Sequence, residues 1–260
     1  MSGVESALLS RSARGRTARF WYECIVFYGL LLVFGSSSLA LSVVAGALYL
    51  VLPRRLGAPL GQVLIMASCR YFVGLMRLTR IIECDLGALD GLRRAGPLVI
   101  APNHPSLLDA VLILSRLPRV VCTAKAGLLG NALFGGSARL AGFIRNDSSA
   151  RLIREGTRQL AAGRQLLIFP EGTRAVGGRL GDFKGGFALI AKRAGVPVQT
   201  IFIDGNSRFL GKGWPLLQKP DFPLRYRVRL GPALRVDRDL REFVAQLHAF
   251  YRRELDGGEA

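Results

Sequence analysis

The chain has 260 residues, enough for one medium domain with a real core and a short appendage. Lys and Arg total 36 against 18 Asp and Glu, a formal charge of +18 spread along the chain rather than gathered in a tail. Such a field draws phosphorylated substrates, anionic lipid head groups or nucleic acid, but a mean hydropathy of +0.30 argues against a soluble nucleic-acid binder. Cys24, Cys69, Cys84 and Cys122 contain no CxxC pair and read as reduced thiols of a cytosol-facing protein. There are two histidines, and only His104 stands near a carboxylate cluster, so no metal site is expected.

In chain order, residues 24–53 carry no charge and are rich in Leu, Val, Phe and Tyr. About 20 apolar residues suffice to cross a bilayer, and the run is too long for the apolar core of a signal peptide. Arg11, Arg14, Arg16 and Arg19 precede it, and Arg54 and Arg55 follow it, so positive charge does not orient a single span. Gly35, Ser36, Ser37 and Ser38 lie mid-run and would divide it into two halves. A single span and a re-entrant hairpin both fit. In residues 60–79, Arg70 and Arg77 share one helical face opposite large apolar residues. That predicts an amphipathic helix, either lying on the membrane surface or packed on the globular core. The expected division is a membrane-anchoring helical segment over 1–79 and a globular domain over 80–260.

Beyond residue 80, β-rich runs are predicted at 80–84, 97–101, 119–123, 165–169 and 196–203, with a half-exposed strand near the sheet edge at 225–230. Helices are predicted at 106–117, 149–162, 187–194 and 239–255. This alternation predicts an α/β fold: a mixed, largely parallel sheet flanked by helices, with the N-terminal membrane-associated segment attached. The Gly-rich loop 175–186 is expected beside the site.

Two motifs carry chemistry. Asn103-His104-Pro105-Ser106-Leu107-Leu108-Asp109 follows the apolar run 98–101, at the strand end where α/β sheets meet their ligands. An acid five positions on can fold back, fix the imidazole tautomer and steady its protonated form. A helix-capping or core histidine with a surface Asp is the plain alternative. The second motif, Phe169-Pro170-Glu171-Gly172-Thr173-Arg174, ends another buried strand. Gly172 permits close backbone approach, and Arg174 suits a phosphate. Glu171 suits Arg174 or a substrate hydroxyl. No Gly-x-Ser-x-Gly elbow is present, so the direct nucleophile would be an acceptor hydroxyl.

The two motifs together resemble the lysophospholipid acyltransferase family, over roughly residues 80–204. Asn103, His104 and Asp109 match its NHxxxxD pattern, and residues 169–174 match FPEGTR in full. Gly142 to Asp147 resemble its third block, and Val196-Pro197-Val198 a late segment. The resemblance implies a general base at His104 oriented by Asp109, with substrate binding by Asn103, Arg145, Glu171, Gly172, Thr173 and Arg174. It implies no cofactor or metal, an acyl-CoA or acyl carrier protein co-substrate, and a lysolipid acceptor, 1-acylglycerol-3-phosphate foremost. Membrane lipids are the expected partners and nucleic acid is not. The expected location is the inner membrane, with the catalytic domain facing the cytoplasm. One departure stands out: the family's third block ends in Ile-Asp-Arg, whereas here Ser148 follows Asp147 and the arginine comes earlier, at Arg145. Another lipid or a specialised metabolite as acceptor remains the alternative, with a non-catalytic lipid-binding protein behind it.

Overall fold

The structure is a computed structural model that describes residues 3–177, 179–237 and 239–257, with side chains described from residue 16 onward. Arg11 and Arg14 lie outside the described side chains.

Helix α1 (Gly3–Val51) runs unbroken through the glycine-serine cluster, so no re-entrant turn forms there. The serine hydroxyls fold back onto their own helix: Ser36 Oγ donates to the Leu32 carbonyl at 2.8 Å and Ser37 Oγ to that of Phe34 at 3.3 Å. The polar groups are thereby satisfied without breaking the ladder. The chain turns instead at Leu52 and Pro53, where the extended Pro53 ends α1 and opens α2 (Arg54–Leu78). α2 folds back, bringing Phe72 against Phe34 with ring centroids 4.6 Å apart. Both helices are long and apolar enough to cross a membrane: 36 residues from Arg16 to Val51 and 25 from Arg54 to Leu78.

Seven strands form one sheet in the order β1-β7-β6-β2-β5-β3-β4. They are β1 (Ile82–Asp85), β2 (Val99–Pro102), β3 (Val120–Ala124), β4 (Ile144–Arg145), β5 (Gln165–Leu167), β6 (Val198–Gly205) and β7 (Leu224–Leu234). β6, β2, β5, β3 and β4 are parallel; β7 is antiparallel to β6, and β1 is parallel to β7. The run 225–230, expected near the edge, is one strand in, because the shorter β1 covers it. Helices α3 (Leu108–Leu114), α4 (Ala126–Gly130), α5 (Gly135–Leu140), α6 (Ser149–Ala161), α7 (Gly186–Ala194) and α8 (Leu240–Asp256) complete the fold.

Alternation along the strands splits the core between two faces. Ile100 and Leu167 point to one face with Leu112, Ile113, and Phe27, Leu30, Val73 and Met76 of α1 and α2. Val99 and Leu166 point to the other, with Ile190 of α7 and Tyr251 of α8. The N-terminal helices thus share a core with the α/β domain. α1 buries a stripe of Phe27, Leu30, Ser38, Ser42 and Ala45, spaced so that they fall on one side. Its outer side presents Ile25, Leu32, Leu39, Val43 and Leu50 to the surroundings. α2 likewise buries Gly57, Ala58, Gly61 and Gln62 while exposing Leu56, Leu60, Val63, Tyr71 and Leu78.

Candidate active site

The site lies at the carboxyl edge of the parallel strands. β2 ends at Pro102, and the next residues lead to α3, which starts at Leu108 rather than at 106 as expected. The residues between are held in a tight corner by side-chain bonds. Ser106 Oγ accepts from Leu108 N at 3.1 Å and donates to the Phe209 carbonyl at 2.8 Å. Asp109 Oδ2 accepts the Ser106 backbone N–H at 2.7 Å.

The same carboxylate oxygen lies 2.9 Å from His104 Nδ1. With Asp109 ionised, an oxygen that accepts from Ser106 also accepts from Nδ1–H, which leaves Nε2 as the unprotonated ring nitrogen. Asp109 is fully buried, and burial raises its carboxyl to about 6, against the opposing pull of His104 and Ser106. Its Oδ1 is buried and has no partner. The His104 ring stacks on Phe169, centroids 3.7 Å apart and 19° between planes. Phe169 is the first residue of the second motif, so the two motifs meet ring to ring.

They also meet through Glu171. Its Oε1 accepts the His104 backbone N–H at 2.8 Å and its Oε2 that of Gly181, also at 2.8 Å. Burial raises the Glu171 carboxyl, the two backbone N–H groups opposing. Ala175 N returns to the His104 carbonyl at 2.8 Å. Pro170 and Glu171 form the centre of a turn closed by Gly172 N to Phe169 O at 3.0 Å. Gly172 follows at φ +67°, with the Lys184 side chain over its α-carbon, where an added Cβ would meet Nζ at 3.0 Å. The 175–186 loop therefore does wrap the site, through Gly181 and Lys184.

Other residues singled out from sequence are engaged elsewhere. Asn103 is buried and pairs with β6: its Nδ2 donates to the Ile203 carbonyl at 3.0 Å, and its Oδ1 accepts Ile203 N at 2.7 Å. Arg174 Nη1 donates to the carbonyls of Leu210 and Gly211, both at 2.8 Å. Thr173 is half-buried in the same turn. Arg145 ends β4, exposed and ion-paired with Asp147. β4 stands three strands from β2, about 14 Å at ~4.8 Å per strand, so Arg145 shares the edge but not the corner. Sequence reasoning missed Phe169 as the stacking partner of His104, and Lys184. The aromatic at a strand end was the available signal for the first; the second needed the loop's path.

The acyltransferase family profile matches residues 85–204, which contain both motifs and the corner they build. Over that stretch, a little under half of its length, the chain is similar to acyltransferases. It is 28% identical over 186 residues to a 1-acyl-sn-glycerol-3-phosphate acyltransferase of Pseudomonas aeruginosa, covering 69% of this chain and 70% of the relative. It is 40% identical over 127 residues to a lyso-ornithine lipid O-acyltransferase of the same organism, covering 44% of this chain and 49% of the relative, about half of that protein. The fold matches the 1-acyl-sn-glycerophosphate acyltransferase PlsC of Thermotoga maritima with a TM-score of 0.64, at 21% identity, over 93% of this chain and 98% of that one. Both the family's α/β architecture and the apolar N-terminal helices fall within that match.

Proposed function

We propose that this acyltransferase moves a fatty acyl group from an acyl thioester, carried on coenzyme A or acyl carrier protein, to the free hydroxyl of 1-acylglycerol-3-phosphate. The observation that carries the reading is the 2.9 Å contact of His104 Nδ1 with buried Asp109. Nε2 removes the acceptor's hydroxyl proton as that oxygen attacks the thioester carbonyl, and Asp109 steadies the imidazolium. Collapse of the tetrahedral adduct breaks the C–S bond. The departing thiolate takes the proton back from Nε2, which leaves ester, free thiol and the starting enzyme. Gly172 N–H and the Asn103 amide already have backbone partners, so we assign both to holding the corner rather than to the oxyanion. The acceptor head group lies against the FPEGTR turn, where Thr173, Arg174 and exposed Lys184 supply donors and positive charge. Arg145, further along the edge, meets the outer part of a bound substrate.

The apolar outer sides of α1 and α2 support seating this edge at a lipid surface, which we infer to be the cytoplasmic face of the inner membrane. α1 is docked along the domain from Phe27 to Gly46, so its length serves attachment rather than a simple perpendicular crossing. Its 36 residues from Arg16 to Val51 would measure about 54 Å, against ~30 Å of hydrocarbon.

A second reading, an amino-lipid acceptor, is favoured by the missing Ile-Asp-Arg ending and by the 40% identity to the lyso-ornithine lipid relative. One experiment addresses both. Purified protein is given labelled acyl-CoA or acyl carrier protein with lysophosphatidate and, separately, lyso-ornithine lipid. Labelled phosphatidate supports the first reading and labelled ornithine lipid the second. His104→Ala acylating at the parental rate would end both.

A further inference from the structure

Between β6 and β7 the segment 206–223 leaves the sheet and joins two places that no strand connects. On its inner side it grips the catalytic corner. The Phe209 carbonyl accepts from Ser106 Oγ at 2.8 Å, the Leu210 carbonyl from Leu107 N at 3.2 Å, and Arg174 binds the carbonyls of Leu210 and Gly211. Leu210 sits at φ +54°, a conformation that costs a branched side chain energy and is held here by those bonds. An added Cβ on Gly211 would fall 2.8 Å from the Arg208 carbonyl oxygen and be in ordinary contact, at 3.4 Å, with the Pro105 carbonyl.

On its outer side the same segment ends in a turn, Gln218 N to Pro215 O at 3.0 Å, with Trp214 Nε1 bonded to the Gln218 carbonyl at 3.0 Å. The two central residues, Leu216 and Leu217, are 59% and 68% exposed. Two adjacent leucines at a turn tip thus leave most of their surface outside the core. They lie against α1: Tyr28 Oη donates to the Leu217 carbonyl at 3.2 Å, and Lys219 Nζ pairs with Glu23 at 2.8 Å. Around Tyr28, α1 exposes Trp21, Ile25 and Leu32, so the turn continues an apolar surface. Arg208 and Lys212, both exposed, precede it in the same segment with the sign that suits anionic head groups.

We propose that the Leu216–Leu217 turn is a third bilayer-contacting element beside α1 and α2, and that through Phe209–Gly211 its seating in lipid positions the His104–Asp109 segment. The inference rests on the membrane-anchored reading of α1. Its occupant is a lipid surface: continuity with the α1 stripe and the exposed cations of the same segment favour it over a protein partner. In consequence the corner that does the chemistry is braced when the enzyme meets the bilayer that holds its acceptor.

The test uses the full-length protein. The chain has two tryptophans, so Trp21→Phe leaves Trp214 as the sole reporter. Vesicles of phosphatidylethanolamine and phosphatidylglycerol with brominated acyl chains should quench Trp214 emission, and Leu216→Asp/Leu217→Asp should abolish that quenching. The complementary Trp214→Phe protein should keep Trp21 quenched in both backgrounds, since α1 still anchors the chain. With an acceptor carried in vesicles, the double Asp variant should lose kcat on the order of tenfold, the least that burial of one leucine is worth, with KM little changed. A short-chain monomeric acceptor should be turned over at the parental rate, which also shows the variant is folded. Unquenched Trp214 beside quenched Trp21 overturns the proposal, as a protein-only partner would require. So does an unchanged kcat on vesicles. If no acceptor is turned over even by the parent, the functional reading fails, while the quenching still decides this one.

Discussion

Glu171 Oε1 accepts the backbone N–H of His104 at 2.8 Å while its Oε2 accepts that of Gly181 at the same distance. One buried carboxylate thus ties the catalytic corner to the loop that covers it, and needs both oxygens to do so. Glu171→Gln keeps the shape but turns one acceptor into an amide that faces an N–H. A hydrogen bond to a charged group contributes about 1.5–3 kcal/mol, so kcat/KM should fall by roughly ten- to a hundredfold. Steady-state kinetics together with a thermal melt check this. Parental kcat/KM in the Glu171→Gln enzyme would show that the tie does not position His104.

Burial places the Asp109 carboxyl at about 6, above its ordinary 3.8. The folded chain therefore binds this proton more tightly than the unfolded chain does. Asp109 contributes stability that is complete below pH 3.8 and lost as pH rises through about 6. Activity runs the other way, since the ionised carboxylate is the form that holds Nδ1–H and frees Nε2. We expect kcat/KM to fall as pH drops through about 6. Asp109→Asn should melt higher than the parent at pH ~7 and lose activity by about 10²- to 10⁴-fold, the usual worth of a positioned acid–base pair. A flat rate profile from about pH 5 to about 8 would contradict the pairing.

The parts of the site visible in sequence were those encoded locally. Asp109 comes five positions after His104, and strand, corner and acid follow within one stretch. Phe169 to Arg174 is likewise a turn written by Pro170 and Gly172. What was hidden depends on where distant segments cross. Asn103 and Arg174 look like plain ligand contacts in isolation, yet Ile203 takes up the Asn103 amide, and Leu210 and Gly211 hold one Arg174 nitrogen, from more than thirty residues away. The fold shows the same division. The long apolar and alternating runs marked β2, β3, β5 and β6, while β4, α4 and α5 are too short to carry a periodicity. The glycine-serine cluster in α1 misled because its hydroxyls bond inside the helix, which composition alone does not reveal.

Arg145 and Arg174 should separate sharply on substitution. Arg145 is exposed and paired with exposed Asp147, an arrangement that solvent screens and that contributes little. Arg145→Ala should change kcat/KM less than about fivefold with any acceptor. Arg174→Ala removes two 2.8 Å bonds that fix Leu210 and Gly211 behind the catalytic corner, and should cost on the order of a hundredfold. A hundredfold loss in Arg145→Ala with lysophosphatidate alone would instead put the acceptor phosphate at β4.

Where α1 meets the domain, backbone lies against backbone. Gly136 N donates to Ser42 Oγ at 2.9 Å, and a methyl group on Gly136 would collide with the Ser42 carbonyl oxygen. Gly61 of α2 lies close against the end of α5, an added Cβ falling 2.5 Å from the N of Ala141, the residue that follows it. Neither obstruction is a flexible side chain, so a helix must move. Gly136→Ala and Gly61→Ala should each destabilise the protein by about 1–3 kcal/mol, as overpacking does. Gly29 and Gly35 of α1 have nothing within 4 Å of an added Cβ. Alanine there adds helix propensity of up to ~1 kcal/mol without a clash and should leave stability equal or raised. Thermal unfolding of the four variants in one detergent gives the comparison. Equal losses at all four would mean that α1 is not docked through Ser42, and that its glycines serve the helix rather than the contact.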